Sequence, residues 1–381
     1  MGPYDTVLPA DAVEFCPHPA ATDIFAVGTY KLDDPPAKSD SSTGVGTPSI
    51  LTPASEEPPA ISSGTTQTRH GKCLFFRVNG EADGAFEPLS DFSLPAVLDM
   101  KWLHTTEDRQ PVLAIADSEC NITLAEWNIE VSQVEARTSV VCGSSNVLCL
   151  SIDWNNRRDP TSSMASLIVS LSNGKLALLR PDPVNGLSVE EAWHAHDYEP
   201  WAAAWECWDH NLVYSGGDDL KLKLWDIRAG CDQPVQINRR FDAGITSIQS
   251  HPHIEHVIAV GSYDNTVRLY DRRKLTTPMT QAEVGGGAWR VKWNPSPKRT
   301  HDLLVAAMHD GFKVVKFHDM WTKEDTPPVF SEKWDVIERF DKHESLAYGV
   351  DWSYATGVDE RGQGLIASAS FYDCVLHTWR G

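Results

Sequence analysis

The sequence predicts an all-β fold made of repeated units, on three observations. Blocks of alternating apolar residues separated by turn residues recur about every 45 to 60 positions. A turn Asp precedes a strand-ending aromatic residue by the same interval in several units, as in Asp219 with Trp225. Seven upstream strands end at matching positions, at Phe15, Trp102, Trp154, Trp205, Gln249, Trp293 and Trp352. With the Trp225-Asp226 signature, this pattern predicts a seven-bladed WD-repeat β-propeller.

The first element is a strand expected at Tyr4 to Leu8, which we predict closes the ring. The last unit supplies only three strands before Gly381, so the N-terminal strand completes its blade. Without it the ring would leave an exposed strand edge, which folded proteins avoid. A blade cannot bury both faces alone, so stacked neighbours supply the core.

The first blade contains two predicted strands, Ile24–Leu32 and Cys73–Val78, on either side of a polar insert. Residues 33–71 are rich in Pro, Ser, Thr and Gly, with few large apolar residues, and we interpret them as flexible. The insert decorates one blade. Residues 1–381 are therefore predicted to form a single propeller, although the length alone suggests roughly two to three average domains.

The fourth and seventh units carry a hydrogen-bonding set that is typical of WD repeats. In the fourth unit the set is His196, Ser215, Asp219 and Trp225. In the seventh unit His343 occupies the same place, with Asp373 and Trp379 as its expected partners. We interpret these residues as structural.

Composition and charge exclude several classes of function. There are 33 basic and 53 acidic residues, a net charge of −20, and this balance disfavours direct nucleic-acid binding. No run of apolar residues is long enough to span a membrane. The eight cysteines include no C-x-x-C pair, so we expect free thiols in a reducing compartment, no metal site and no cofactor. We expect a cytoplasmic monomer.

Several segments outside the repeat signature are distinctive. They are 11–17 (DAVEFCP), 195–203 (AHDYEPWAA), 285–293 (GGGAWRVKW), 308–313 (MHDGFK), 348–353 (YGVDWS) and 370–373 (SFYD). In order and spacing they resemble the WD-repeat family of eukaryotic diphthine methyl ester hydrolases, also called diphthine methyltransferases. The resemblance runs from about residue 5 to residue 380.

That resemblance implies a carboxylic ester hydrolase of the diphthamide biosynthesis pathway. The family removes the methyl ester from methylated diphthine, a modified histidine of elongation factor 2, and leaves a carboxylate. The implied partner is therefore elongation factor 2 carrying methylated diphthine, a side chain with a quaternary ammonium group.

No G-x-S-x-G or H-E-x-x-H motif reveals the hydrolytic groups, so site candidates come from equivalent blade positions. Four residues before the strand-end aromatic stand Trp201, Trp289 and Tyr348. Just before the turn Asp stand Asp218, Tyr263, His309 and Tyr372. We expect these side chains to form an aromatic and acidic mouth that binds the cation. The alternative for the aromatic residues is packing between blades.

Three residues are candidates for the chemistry itself. His309 is the first candidate for a general base on water. Glu199 is an alternative base or a charge partner for the ligand. Arg290 is placed to polarise an ester carbonyl or, alternatively, to pair with a neighbouring carboxylate.

A non-catalytic adaptor is the competing class. Residues 225–228 (WDIR) fit the W-D-x-R pattern of WD proteins that dock on cullin ubiquitin ligases, and 270–273 (YDRR) is a weaker match. A histone- or peptide-binding propeller also suits the acidity. Esterase turnover on methylated diphthine separates these classes.

Overall fold

The computed structural model describes residues 3–33, 68–80, 84–318 and 334–381, which form seven antiparallel sheets. The innermost strands of neighbouring sheets contact one another around a closed ring. Within these residues one short 3-10 helix, Arg272–Lys274, accompanies the strands. No helix in the described ranges is long and apolar enough to cross a membrane. The predicted all-β, seven-bladed propeller is thus confirmed.

The strands follow the chain from the centre of each blade outwards, after β1 (Tyr4–Asp5). Blade 1 contains β2 (Ala10–Phe15), β3 (Ile24–Thr29), β4 (Lys31–Leu32), β5 (Arg69–Val78) and β6 (Phe86–Leu94). Blade 2 contains β7 (Val97–Trp102), β8 (Val112–Asp117), β9 (Asn121–Asn128) and β10 (Gln133–Val141). Blade 3 contains β11 (Cys149–Trp154), β12 (Leu167–Leu171), β13 (Lys175–Asp182) and β14 (Gly186–His194).

The remaining blades keep the same order. Blade 4 contains β15 (Ala202–Trp205), β16 (Leu212–Gly216), β17 (Leu222–Asp226) and β18 (Gln236–Asn238). Blade 5 contains β19 (Ile245–Ser250), β20 (Val257–Ser262), β21 (Thr266–Asp271) and β22 (Thr280–Glu283). Blade 6 contains β23 (Arg290–Trp293), β24 (Asp302–Ala306), β25 (Phe312–Phe317) and β26 (Trp334–Phe340). Blade 7 contains β27 (Ala347–Trp352), β28 (Leu365–Ser370) and β29 (Val375–Arg380).

The N-terminal strand closes the ring, as the sequence predicts. Strand β1 pairs with β29, with Tyr4 opposite Leu376, and the backbone N–H of Thr6 donates to Cys374 O at 2.8 Å. The strand is shorter than expected because Val7 turns out of it with a φ of 67°. The fourth strand of blade 7 therefore comes from the opposite end of the chain.

The core is divided among the interfaces between blades. The described residues contain seven clusters of buried apolar side chains, and each cluster joins one pair of neighbouring blades. The cluster between blades 7 and 1 brings Phe25 and Phe76 against Leu365 and Leu376. Bulky strand residues fill these layers because a single sheet cannot cover both of its faces.

Several strand-end tryptophans link neighbouring inner strands by hydrogen bonds. The indole N–H groups of Trp102, Trp154 and Trp352 donate to carbonyl groups of the preceding blade's inner strand at 3.0–3.1 Å. For these three tryptophans the role is packing between blades.

The expected structural set of blade 4 is present. His196 Nδ1 lies 2.7 Å from Asp219 Oδ1, and its Nε2 lies 2.7 Å from the Ser215 hydroxyl, which also accepts from Trp225 Nε1 at 2.9 Å. Burial lowers the pKa of His196, so the imidazole is neutral and structural.

Blade 7 carries a variant of this set. His343 contacts two serines, Ser368 and Ser370, and these connect it to Trp379 and Asp373. The predicted partners are therefore reached through hydroxyl groups rather than directly.

The insert of blade 1 is bounded more narrowly than predicted. Most of residues 33–71, namely 34–67, lies outside the described residues. At its C-terminal end β5 begins at Arg69, where His70 pairs with Lys31 and Gly71 pairs with Leu94. Residues 69–71 thus belong to the blade, because the strand pairing continues past the point where the apolar pattern ends.

Candidate functional site

One face of the ring collects all of the predicted site residues. In each blade, the connection into the innermost strand and the turn between the second and third strands lie on the same face, since the strands are antiparallel. We call this the ligand face. The predicted residues in these connections, turns and strand starts are Glu199, Trp201, Asp218, Tyr263, Trp289, Arg290, His309, Tyr348 and Tyr372.

Four half-buried aromatic rings on the ligand face form one contiguous group, which we call the aromatic cluster: Trp201, Tyr263, Trp289 and Tyr348. Trp289 is its centre. Its ring stacks on Tyr348 at 4.7 Å between centroids, and lies 5.8 Å from Trp201 and 6.0 Å from Tyr263 at tilted angles. The four rings, which the sequence singles out by equivalent blade positions, thus contact one another although they come from four different blades.

Two carboxyl groups border the cluster on the side of blade 4. Asp218 lies against Tyr263: a side-chain carbon at Gly244 would approach Asp218 Oδ1 at 2.2 Å and the Tyr263 ring at 3.2 Å. Burial raises the pKa of Asp218, the Trp201 indole opposes that shift, and the charge of Glu199 adds to it. The cluster therefore has an electronegative edge, as expected.

A third carboxyl group, Asp11, was not predicted. It stands near the start of β2, only 7% exposed, and its Oδ1 accepts a hydrogen bond from Trp289 Nε1 at 3.2 Å. Burial raises its pKa to about 6, while the nearby Arg290 and the Trp289 hydrogen bond hold it down. A sequence signal existed: Asp11 is four residues before Phe15, the spacing that singles out Trp201 and Trp289.

Arg290 lies beneath the cluster, at the mouth of the central channel. Its guanidinium carbon is 5.8 Å from the Trp289 ring centroid, its Nη2 donates to Leu98 O at 3.1 Å, and the same nitrogen is 3.6 Å from Asp99 Oδ1. The contact with Asp99 supports the alternative that Arg290 pairs with a neighbouring carboxylate, and its role towards an ester carbonyl stays a prediction.

Deeper in the channel, charged side chains of the inner strands neutralise one another. Lys101 Nζ lies 2.9 Å from Glu14 and 2.7 Å from Asp99, and Lys292 Nζ contacts Glu14 and lies 3.4 Å from Asp351. A cavity of about 40 Å³ adjoins this network, with Trp201 and Arg290 among its lining residues. It has room for about three or four water molecules at about 10–15 Å³ each.

Beyond the two bordering carboxyl groups and Arg290, two further predicted residues, Tyr372 and His309, are not part of the aromatic cluster. Tyr372 is 72% exposed, and its ring lies 4.9 Å from the ring of Phe371, which in turn lies 5.2 Å from the ring of Tyr348. His309 is exposed and makes no hydrogen bond or ion pair with any described residue. Phe371 was not among the predicted residues. The turn between β28 and β29 directs its ring, rather than the ring of Tyr372, towards Tyr348.

The two W-D-x-R-like segments lie at the opposite end of the third strands. Arg228 and Arg273 are each more than half exposed, and each pairs with the aspartate two residues before it, at 2.7 and 2.6 Å. These arginines have the same local geometry in blades 4 and 5. They are remote from the ligand face because strands β17 and β21 run away from it.

Comparison with known structures agrees with the fold. A chain in the crystal structure of the mitotic checkpoint complex superposes with a TM-score of 0.63 over 99% of this chain and 90% of its own, at 13% identity. At that identity the likeness concerns the fold alone. No family model matches the sequence.

Comparison with known sequences carries more information. Diphthine methyltransferase of Mus musculus is 34% identical over 92% of this chain and 68% of its own length. The Homo sapiens protein of the same name is 33% identical over 92% of this chain and 74% of its own. A DDB1- and CUL4-associated factor 11 homolog of Caenorhabditis briggsae is 25% identical over 40% of this chain and 30% of its own length. Because the mouse and human similarities cover most of this chain and more than two thirds of each relative, the chain belongs to the diphthine methyltransferase family.

Proposed function

We propose that this protein removes the methyl ester from methylated diphthine on elongation factor 2, a step of diphthamide biosynthesis, and that it does so at the aromatic cluster. The observation that carries the proposal is the grouping of Trp201, Tyr263 and Trp289 beside Asp218 on one face of a propeller of this family. The substrate is a translation factor, so we expect both in the cytoplasm.

The cluster suits the cationic part of this substrate. A quaternary ammonium has no N–H to donate, so proteins recognise it by aromatic faces and nearby negative charge. The ring planes of Trp201 and Tyr263 lie at 56° and 41° to the ring plane of Trp289, so the ring faces of the cluster point in several directions. Asp218 supplies a carboxyl group at the same place. The net charge of −20 also favours a basic, RNA-facing part of a translation factor.

The residues below and around the cluster suit ester hydrolysis. Attack by water develops negative charge on the carbonyl oxygen, and a cationic donor such as Arg290 stabilises that charge. Glu199 and His309 are the predicted bases at the rim, and the channel cavity offers space for water. Exposed apolar side chains at Tyr198 and Tyr372 lie in the same loops and suit contact with a protein substrate.

The direct test is turnover. Purified protein is mixed with elongation factor 2 carrying methylated diphthine, and methanol release and the intact mass of the factor are measured. We expect one methanol per factor, with a mass loss of one CH₂. A mass gain in the presence of a methyl donor would indicate methyl transfer instead, and binding without any change in mass would indicate a non-catalytic adaptor.

The adaptor alternative has a specific observation in its favour, the exposed Arg228 and Arg273 on the far side. Both guanidinium groups already pair with carboxylates, so docking there has to displace or share those pairs. Charge reversal at Arg228 tests it: an adaptor loses its partner, whereas the hydrolase keeps its turnover.

A further inference from the structure

Among the buried carboxylates of the inner strands, Asp11 differs in its charge environment. Asp99, Glu14 and Asp351 each have a lysine nitrogen within 4 Å, at distances that neutralise them. Asp11 has no cation within 4 Å anywhere in the described ranges of the chain, although it is only 7% exposed. A buried carboxylate that lacks an ion-pair partner, and that feels the charge of Arg290 only from beyond 4 Å, costs free energy, so we look for a role of Asp11 other than stability.

The position of Asp11 suggests that reason. Its Oδ1 is held by the indole N–H of Trp289, the central ring of the aromatic cluster. Its Oδ2 makes no hydrogen bond with the residues described. One oxygen is therefore fixed, and the other is available where the cluster meets the channel that contains Arg290.

We infer that Asp11 is the general base of the ester hydrolysis, an assignment that rests on the proposed function. The Asp11 carboxylate takes a proton from water as the water oxygen bonds to the ester carbonyl carbon. The tetrahedral intermediate then expels the methoxy group, which takes the proton from Asp11 and leaves as methanol. The products are a carboxylic acid, which ionises, and methanol, so water is the only co-reactant.

Geometry favours Asp11 over the rim candidates. A base acts best when neighbouring groups fix its orientation, and Trp289 does this for Asp11. The exposed His309 has no such neighbour among the residues that the structure describes. Arg290 lies on the channel side of Trp289, where it can face the carbonyl oxygen while Asp11 faces the water.

The basicity of Asp11 is consistent with this role. Burial raises its pKa to about 6, so the group is ionised at pH 7 but remains a better base than an ordinary aspartate. The groups that face it are Arg290 and Trp289 from blade 6, Asp99 from blade 2, Tyr263 from blade 5 and Tyr348 from blade 7. Burial raises the pKa values of Tyr263 and Tyr348, so both phenols stay neutral in the pH range of the assay.

The experiment compares Asp11→Asn with His309→Ala on methylated elongation factor 2. Asparagine keeps an oxygen for the Trp289 N–H but cannot take the proton, so we expect kcat to fall by roughly 10² to 10⁴ with KM little changed. His309→Ala tests the competing base at the rim, and the assignment of Asp11 predicts a smaller loss of kcat there than in Asp11→Asn. Asp218→Asn is the matched aspartate control, because it borders the cluster and should act on KM.

A pH profile separates a base from a structural residue. Wild-type kcat/KM should fall below about pH 6, where Asp11 takes up a proton, and the residual activity of Asp11→Asn should lack that limb. Asp11→Asn and His309→Ala must bind the demethylated factor like wild type, whereas Asp218→Asn should bind it more weakly. Normal kcat in Asp11→Asn, or a loss confined to His309→Ala, overturns the assignment, whereas a wild-type protein without turnover overturns the proposed function itself.

Discussion

Replacing Trp201 by leucine should weaken substrate binding without slowing the chemical step. The substitution removes one aromatic face from the cluster and leaves an apolar side chain at its edge. Trp201 stands on the blade 4 side, 5.8 Å from Trp289 and beside Asp218, and Asp11 and Arg290 keep their own contacts. The change therefore acts on the cation site alone.

The size of the effect follows from the half-buried state of the ring. A cation–π contact contributes about 0.5–1 kcal/mol when exposed and about 2 kcal/mol when desolvated. For a half-buried indole we take about 1–2 kcal/mol, and one factor of ten corresponds to about 1.4 kcal/mol. We expect KM to rise by about 5- to 30-fold with kcat nearly constant.

The assay is steady-state methanol release, with two companion variants. Trp201→Phe restores a ring and should recover most of the affinity. Trp208→Leu is the matched control, because Trp208 lies in the connection after β15 on the opposite face, with Arg158 already 3.8 Å from its ring. An unchanged KM in a folded Trp201→Leu protein, or an equal effect of Trp208→Leu, would refute the cation site.

Three further predictions concern stability and the insert. Tyr4→Ala removes ring contacts to Phe76 and Phe86 that together contribute about 2 kcal/mol. With an unfolding entropy of about 2.1 cal/mol/K per residue, this loss should lower Tm by about 2–3 °C. The control Tyr198→Ala, at an exposed tyrosine, should leave Tm unchanged. Asp11→Asn should raise Tm by about 4 °C at pH 7, because the folded pKa of Asp11 is raised from 3.8 to about 6 and this shift costs wild type about 3 kcal/mol at that pH. Wild type loses this stability as pH rises through that window, so the advantage of asparagine should vanish below about pH 4. Replacing residues 34–67 by a short Gly-Ser linker should keep turnover near wild type, because this segment has little apolar area, and a large loss would show that it contacts substrate.

The fold was predictable because blade geometry repeats along the chain. A fixed interval from turn to strand end keeps equivalent residues at equivalent radii, so the spacing alone predicts that Trp201, Trp289 and Tyr348 meet. The same rule extends to Asp11, which was overlooked because an aspartate at an inner-strand start looks like an ordinary turn residue. Its environment depends on Trp289, 278 positions away.

Other features depended on contacts that no local pattern encodes. The sequence alone does not show which groups Arg290 contacts. In the structure its guanidinium group lies next to Leu98 O and the Asp99 carboxylate, both of which belong to blade 2. The ring of Phe371 contacts the aromatic cluster while the neighbouring Tyr372 is exposed, and this difference depends on the conformation of one turn. Contacts between distant blades and the directions of individual side chains were therefore the features that the sequence pattern could not predict.

The most direct test of the central claim is a crystal structure of the protein with a peptide that carries diphthine. The claim is that the aromatic cluster binds the quaternary ammonium group. We expect the nitrogen within about 6 Å of the ring centroids of Trp201, Tyr263 and Trp289, with the carboxylate product directed towards Arg290. Peptide bound on the opposite face, or away from these rings, would contradict the claim.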